Sequence, residues 1–509
     1  MRRCAVAVGS VLLTGARPLG TSALVDVLVR DGRVAAVTPH GSRSSAGAVE
    51  HVALGGRTLM RGLRDGHVHL NQWAMTLRRI DLSAARSAAE VVRLVQERVR
   101  TDPPPAGAAL VAYGFRDGLW PNAPTAALLD DALERVGARD TPVVLVSGDY
   151  HCAWLSTAAL VRHGVVGHPT GVLREREWFA ISEAAVAVPE AVLDDWVDQA
   201  VRGAAARGVT QVVDFELADN LTAWRRRMSG TRPTDGVRVA ASAWPEYLDR
   251  PVAEELATGD VVGGTGGLLT MGPLKVITDG SLNTRTAYCH DPYPGLGAAA
   301  GSHGVLSVPP EELRLLMAKA TRHGLACAIH AIGDHANALA LDAFEATGAR
   351  GSIEHAQLVS RGDLTRFAAL GVVASIQPEH ALDDRDVADR YWVGRTHRAF
   401  AYAALHDAGV TLALGSDAPV APLDPWLAIA AAVHRTRDGR EPWHPEQGLS
   451  LDVALAASAG GRAEVAVGDV ADLVVLDADP SEVDAAGLRA MPVAGTLVAG
   501  RWTWDGVGR

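Results

Sequence analysis

Lysine is almost missing from this chain of 509 residues. Only Lys275 and Lys319 interrupt a set of 48 basic residues that is otherwise all arginine. Where positive charge alone would serve, the chain uses arginine, so a retained lysine points to chemistry that a guanidinium cannot perform. Cysteine is also scarce. Cys4, Cys152, Cys289 and Cys327 lie far apart and form no C-x-x-C pair, which excludes a cysteine-built zinc site or a disulfide framework. They read as reduced thiols, and a cytoplasmic location is the expectation. No run of 18 apolar residues occurs, so no membrane-spanning helix and no membrane partner is expected. Basic charge is not in excess: 48 basic against 59 acidic residues give a net charge of −11, which argues against nucleic acid as a partner. No G-x-G-x-x-G follows an early strand, which disfavours a nucleotide-using oxidoreductase.

Met1-Arg2-Arg3 and the apolar run behind it lack a convincing small-residue cleavage site. Val11–Gly15 reads instead as a strand ending in a turn. Residues 1–59 hold short β-like runs at Ala23–Val29, Val34–Val37 and Val49–Leu54. The far end behaves likewise, at Ala471–Asp477 and Gly495–Trp504. Both ends, 1–59 and 462–509, are therefore expected to build one small β domain. Residues 60–461 repeat a helix, a glycine, a strand and a polar residue. Pro310–His323 has apolar residues at helical spacing, then Gly324, the strand Leu325–Ile329 and His330. The same succession surrounds Gly208, Gly371 and Gly409. Buried strands alternating with helices predict parallel α/β structure, best fitted by a (β/α)8 barrel with its site at the strands' carboxyl ends. A doubly wound open sheet is the alternative.

The polar residues at those strand ends are specific. His67-Val68-His69 puts two imidazoles on one face of a strand, a spacing suited to a metal ion. Lys275 lies in Leu274–Ser281, His330 in Ile329–Asp334, His355 in Ile353–Gln357 and Asp417 in Gly415–Pro419. A neutral lysine amine can react with carbon dioxide to form a carbamate whose two oxygens could bridge two ions. Alternatively, Lys275 pairs with Asp279. Asp279 and Ser281 could orient the metal ligands, contact substrate or cap a turn. Trp120, Trp154, Trp178, Trp392 and Trp426 could wall an apolar pocket or belong to the core.

Taken together, the D-x-H-x-H element, K-x-x-x-D-G-S, H-A-I-G-D, E-H, S-x-Q-P and G-S-D-A-P resemble the amidohydrolase superfamily. More narrowly, they resemble its YtcJ-like branch, which includes N-substituted formamide deformylases. The resemblance extends to Asp149-Tyr150-His151, to Gly208-Val209-Thr210 and to the tail Gly468–Leu476. It implies a distorted (β/α)8 (TIM) barrel plus a small β-sandwich made from both termini. It implies the metal ligands His67, His69, carboxylated Lys275, His330, His355 and Asp417, holding two divalent ions, with zinc expected. Such ions lower the pKa of a shared water to about 7, and Asp417 would serve as general base and then acid. Asp149, His151, Gln377 and His380 match segments near the family's site and are expected, with Asp279 and Ser281, to contact substrate. The chain departs from the family pattern at Arg61-Gly62-Leu63-Arg64-Asp65, where Pro-Gly-Phe-Ile-Asp is usual. It also lacks the Asn-Ala-Ala segment around Ala459–Ala463.

The reading is a metal-dependent hydrolase of a non-peptide C–N bond in a small molecule, an N-acyl or N-formyl amine, in a possible homodimer. Cyclic amides, esters and heterocycles are the alternatives, as is a non-catalytic relative that keeps the barrel for binding or regulation.

Overall fold

A computed structural model describes residues 10–507 except 43–49, 106, 116, 118–119, 148–151, 175, 231–232, 283–284 and 296–300. Its central feature is an eight-stranded sheet of parallel strands in chain order: β1 (Leu63–Val68), β2 (Val209–Asp214), β3 (Arg238–Ala243), β4 (Leu269–Ile277), β5 (Cys327–Ala331), β6 (Gly351–His355), β7 (Val373–Ile376) and β8 (Leu412–Leu414). The strands are short apolar runs, and helices follow most of them, as buried parallel strands require. Helix Pro310–Arg322 buries Leu313, Met317 and Ala320 on one stripe and carries Glu311 and Glu312 at its start, where the helix dipole favours negative charge. Helix Arg361–Leu370 stops at Gly371, which takes the left-handed conformation (φ 64°) open to glycine at little cost, and β7 begins two residues later.

The ring closes between β1 and the segment after β8. Val68 bridges Ala418 in parallel, the Asp417 N–H donates to the His67 carbonyl at 2.7 Å, and the His69 N–H donates to the Ala418 carbonyl at 2.8 Å. This seam demands a glycine at 415, because a Cβ there would lie 2.7 Å from the His67 nitrogen. The result is a distorted TIM barrel.

Both termini build a second eight-stranded sheet. Its order is Arg501–Asp505, Val493–Val498, Leu473–Leu476, Thr58–Arg61, Val11–Pro18, Val25–Arg30 and Arg33–Pro39, with Glu50–Ala53 also paired to Val11–Pro18. Val11–Gly15 does not end in a turn. The strand continues to Pro18, and a register shift between Leu13 and Ala16 lets its first half pair with Glu50–Ala53 and its end with Thr58–Leu59. Leu13, Val27 and Val29 from the amino-terminal strands share one core with Leu473, Val475 and Leu497.

Asp26 pins that irregular strand. Its carboxylate accepts hydrogen bonds from the N–H groups of Gly15 and Gly41, and its Oδ1 lies 2.7 Å from His40 Nδ1. Burial pushes the Asp26 carboxyl up, but His40 and the two N–H groups outweigh it and hold the pKa below 3.8. A depressed carboxyl stabilises the fold above its unfolded pKa and loses that effect as pH falls through the folded one. The stability difference between the parent and Asp26→Asn should therefore be full above about pH 5 and shrink steadily below 3.8. Melting both proteins from pH 7 down to pH about 2.5 tests this. A difference independent of pH would show that the charge is not what holds the strand.

Residues 74–199 form a separate compact unit, which the repeating pattern does not single out. Its five-stranded sheet runs Val172–Arg174, Cys152–Leu155, Val143–Ser147, Leu110–Phe115 and Ile80–Asp81. Helix Ala88–Thr101, capped by Ser87, lays Val91 and Val95 against one face beside Leu129 and Leu133. Leu160 and Trp178 cover Val144 and Val146 on the other. Trp154, Trp178, Trp392 and Trp426 are buried core residues, and Trp120 packs near Phe115. No helix among the described residues is long and apolar enough to cross a membrane.

Candidate metal centre

Histidines from the ends of β1 and β6 and the aspartate after β8 meet in one place. His67, at the end of β1, is 1% exposed, and its Nδ1 lies 2.7 Å from Glu354 Oε2 on β6. Its Nε2 lies 3.4 Å from Asp417 Oδ1, and His69 Nε2 lies 3.2 Å from the same oxygen. His380 Nε2 approaches the other oxygen, Asp417 Oδ2, at 3.8 Å. The His355 ring centroid is 5.0 Å from that of His67 and 4.4 Å from that of His330. Two trios, His67, His69 and Asp417, and His355, His380 and Asp417, each bring their donor atoms within 4.8 Å of one another.

Lys275 lies beneath them on β4. Its Nζ sits 4.7 Å from the centre of the Phe215 ring, and Phe215 in turn packs edge-on against His67 at 4.6 Å. The amine is buried and has no hydrogen-bond partner, so it does not pair with Asp279. Burial pulls its pKa down to about 8, against the attraction of Glu354 and Asp417. Burial also brings His67 down to about 4, with the Lys275 charge acting in the same sense, and holds His355 well below the usual histidine value. Neutral imidazoles are the form that binds a metal. Asp417 stays ionised: burial would raise its pKa, but His67, His69, His355 and His380 together hold it well below the carboxylate range.

The donor set fits a divalent cation. His69 Nδ1, His330 Nε2, His355 Nδ1, His380 Nε2 and Lys275 Nζ are all buried with no hydrogen-bond partner. Buried polar atoms normally have partners, and several orphans on the histidines and lysine of one strand-end cluster are what an ion would help to satisfy. The backbone is strained at two of these residues. His355 (φ 74°) and Asp417 (φ 55°) adopt the left-handed conformation that L side chains rarely take.

Asp279 accepts hydrogen bonds from the N–H groups of Tyr288, Ile332 and Gly333. Both of its oxygens are thus engaged in fixing the loop that follows His330, and Oδ1 lies 3.4 Å from His330 Nε2. Ser281 is half-buried, with its N–H donating to Thr286 Oγ1. Gln377 is buried, its amide donating to the Ser375 carbonyl while its own oxygen has no partner. His380, expected to touch substrate, lies among the metal-competent side chains, 3.5 Å from Gln357. Asp149 and His151 lie outside the described residues.

Glu354 is the functional residue that spacing did not select. Adjacent residues on a strand face opposite ways, so Glu354 and His355 should not share one interior. The left-handed turn at His355 breaks that alternation, and the E-H pair was its only trace in the sequence. Burial would raise the Glu354 pKa, but His67, Lys275 and Ser352 hold it low. A carboxylate behind a ligand histidine fixes its orientation and tautomer. Glu354→Gln should therefore weaken metal affinity by about 10–100-fold with the fold intact. Competition against a chelator measures it, and parental affinity would remove Glu354 from the site. Asp65 supports the same strand end, accepting from the N–H groups of His67 and Ser416, and burial raises its pKa to about 6.

Comparison with known proteins identifies the family. The model of the amidohydrolase family matches residues 50–503. The protein named "Putative amidohydrolase YtcJ" of Bacillus subtilis (strain 168) is 27% identical over 496 residues, covering 90% of each chain. The N-substituted formamide deformylase of Arthrobacter pascens is 24% identical over 539 residues, covering 95% of each. The crystal structure of an uncharacterized metal-dependent hydrolase from Pyrococcus furiosus superposes with a TM-score of 0.77 at 26% identity, over 92% of this chain and 99% of that one. With a match spanning most of its length and a histidine-rich centre at the mouth of its barrel, the chain belongs to the amidohydrolase family of metal-dependent hydrolases.

Proposed function

We propose that this protein hydrolyses a non-peptide C–N bond, in an N-acyl or N-formyl amine, using two divalent cations held by His67, His69, Lys275, His330, His355 and Asp417, with His380 beside them. The observation that carries this reading is the convergence of His67, His69, His355 and His380 on Asp417 in two trios of metal-competent donors. Bound there, zinc-like ions lower the pKa of a water to about 7 and polarise a carbonyl. Asp417, held ionised by its histidines, takes the proton of the attacking water and delivers it to the departing amine. Glu354 holds His67 in one orientation, and Asp279 holds the loop carrying His330's neighbours.

Lys275 completes the donor set as a carbamate. An amine with a pKa of about 8 is partly neutral at physiological pH and can attack carbon dioxide, forming an N–C bond and releasing one proton. The product carries negative charge where an ammonium would repel cations. The substrate class is supported by the similarity to the Arthrobacter pascens N-substituted formamide deformylase.

The test is metal analysis of the purified protein joined to a panel of N-formyl amines, N-acyl amines, cyclic amides and esters. Two equivalents of metal per chain, with turnover of acyclic amides lost on chelation and restored by zinc, is the expected result. A metal-loaded protein that cleaves only esters or cyclic amides would move the substrate class. A protein that takes up no metal would leave a barrel that serves only for binding.

A further inference from the structure

The barrel holds a second polar space at its opposite end. A cavity of about 710 Å³ runs from Glu354 and Phe215, beneath the metal centre, to the amino ends of the strands. Exposed Arg350 and Gly371, in the turns before β6 and β7, belong to its wall, so it reaches solvent on the face away from the catalytic mouth. Arg64, Gln211, Thr270, Ser352 and Ser375 line it.

Two of these polar side chains are engaged with the protein. Thr270 donates to the Val239 carbonyl and Ser352 to Glu354. Two are not. The Nε of Arg64 is buried without a hydrogen-bond partner, and so is the hydroxyl of Ser375, a residue only 3% exposed. The carboxylates of Glu354 and Asp65 act on the Arg64 charge without pairing with it, because each is hydrogen-bonded elsewhere: Glu354 to His67 and Ser352, and Asp65 to the N–H groups of His67 and Ser416. Arg64 forms no ion pair among the described residues, yet a guanidinium stays charged in any protein environment. A permanent cation in a concave, low-dielectric wall draws an anion to itself.

We propose that this cavity is an anion site, in which Arg64 and Ser375 hold a small monovalent oxyanion of the carboxylate type, formate or bicarbonate. The planar fork of Arg64 matches two coplanar oxygens, and the Ser375 hydroxyl supplies a further donor. The Glu354 carboxylate at the inner end disfavours a multiply charged anion such as phosphate. The assignment rests on these side chains and is independent of which amide the metal centre cleaves.

The metal-loaded parent, Arg64→Met and Ser375→Ala are titrated calorimetrically with sodium formate and, separately, sodium bicarbonate, with sodium chloride as the third arm. Crystals of the parent are soaked in formate. Saturable binding of formate or bicarbonate in the parent is expected, weakened at least about tenfold in Arg64→Met and less in Ser375→Ala. Soaked crystals should show the anion between the two side chains. The two oxyanion arms show which ligand binds better, and either preference supports the site. Formate bound only at the metal centre persists in both variants and overturns the proposal. So does equal affinity for chloride, or an empty cavity in the soaked crystal. If Arg64→Met fails to fold, Ser375→Ala and the soak decide the matter.

Discussion

Lys275→Arg should leave a folded protein that binds almost no metal and has almost no turnover. A mere positive charge at this position would make the change mild, because arginine pairs with carboxylates at least as well as lysine does. The surroundings of Lys275 are not those of a structural cation, however. Its amine is buried, contacts the face of Phe215 and has no hydrogen-bond acceptor. Neutral amine is within reach at this site, and carbamate formation reverses its charge. Arginine cannot follow that path. Its substitution places a permanent cation beneath the histidines, and metal affinity should fall by at least about 100-fold. Lys275→Ala should also lose metal but leaves a hole of neutral character. Added formate or acetate can fill that hole, and partial return of metal and turnover is expected for the alanine variant alone. Metal content and rates of both variants, with and without the acids, decide the point. An arginine variant with two metals and near-parental turnover would leave the centre with one ligand fewer.

Asp417→Asn carries the second large effect, a loss of about 10²-fold or more in turnover. The variant should fold, for two reasons. The seam contact at this position is made by the backbone N–H to the His67 carbonyl, which the side-chain change does not touch. The left-handed conformation of residue 417 (φ 55°) is also one that asparagine accepts as readily as aspartate. What disappears is the negative charge facing His67, His69 and His380, and with it the proposed proton acceptor. One ion should bind more weakly. Turnover within twofold of the parent, measured with metal fully loaded, would assign the base to another group.

Much of this was legible in the chain, and for identifiable reasons. The repeats around Gly371 and Gly208 announced barrel units because helix, glycine and buried strand follow at fixed spacing. His67 and His69 were legible as a pair because they share a face at period two. Lys275 stood out because so little lysine surrounds it. Other features were hidden. The sheet in residues 74–199 uses the same short apolar strands and helices as the barrel, so local pattern cannot separate them. Glu354 owes its position to the backbone turn at His355, and His380, expected at the site as a substrate contact, lies instead beside Asp417. No spacing rule follows a strand through the left-handed turn at His355, or foresees that Val11–Pro18 changes partners without ending.

The seam between β1 and the segment after β8 has a consequence for how the protein comes into being. Asp65 and Ser416, which join across it, stand 351 residues apart in the chain. Contacts of such separation are slow to form, because a long loop must be ordered before they return any stability. During synthesis from the amino end, His67 and His69 emerge early and wait without Asp417 for most of the chain to follow. The half-built protein thus offers exposed imidazoles but no complete set of donors. Closure of the ring and convergence of these side chains are one event, so if the proposed metals bind there, tightly held metal would mark the moment the fold is finished.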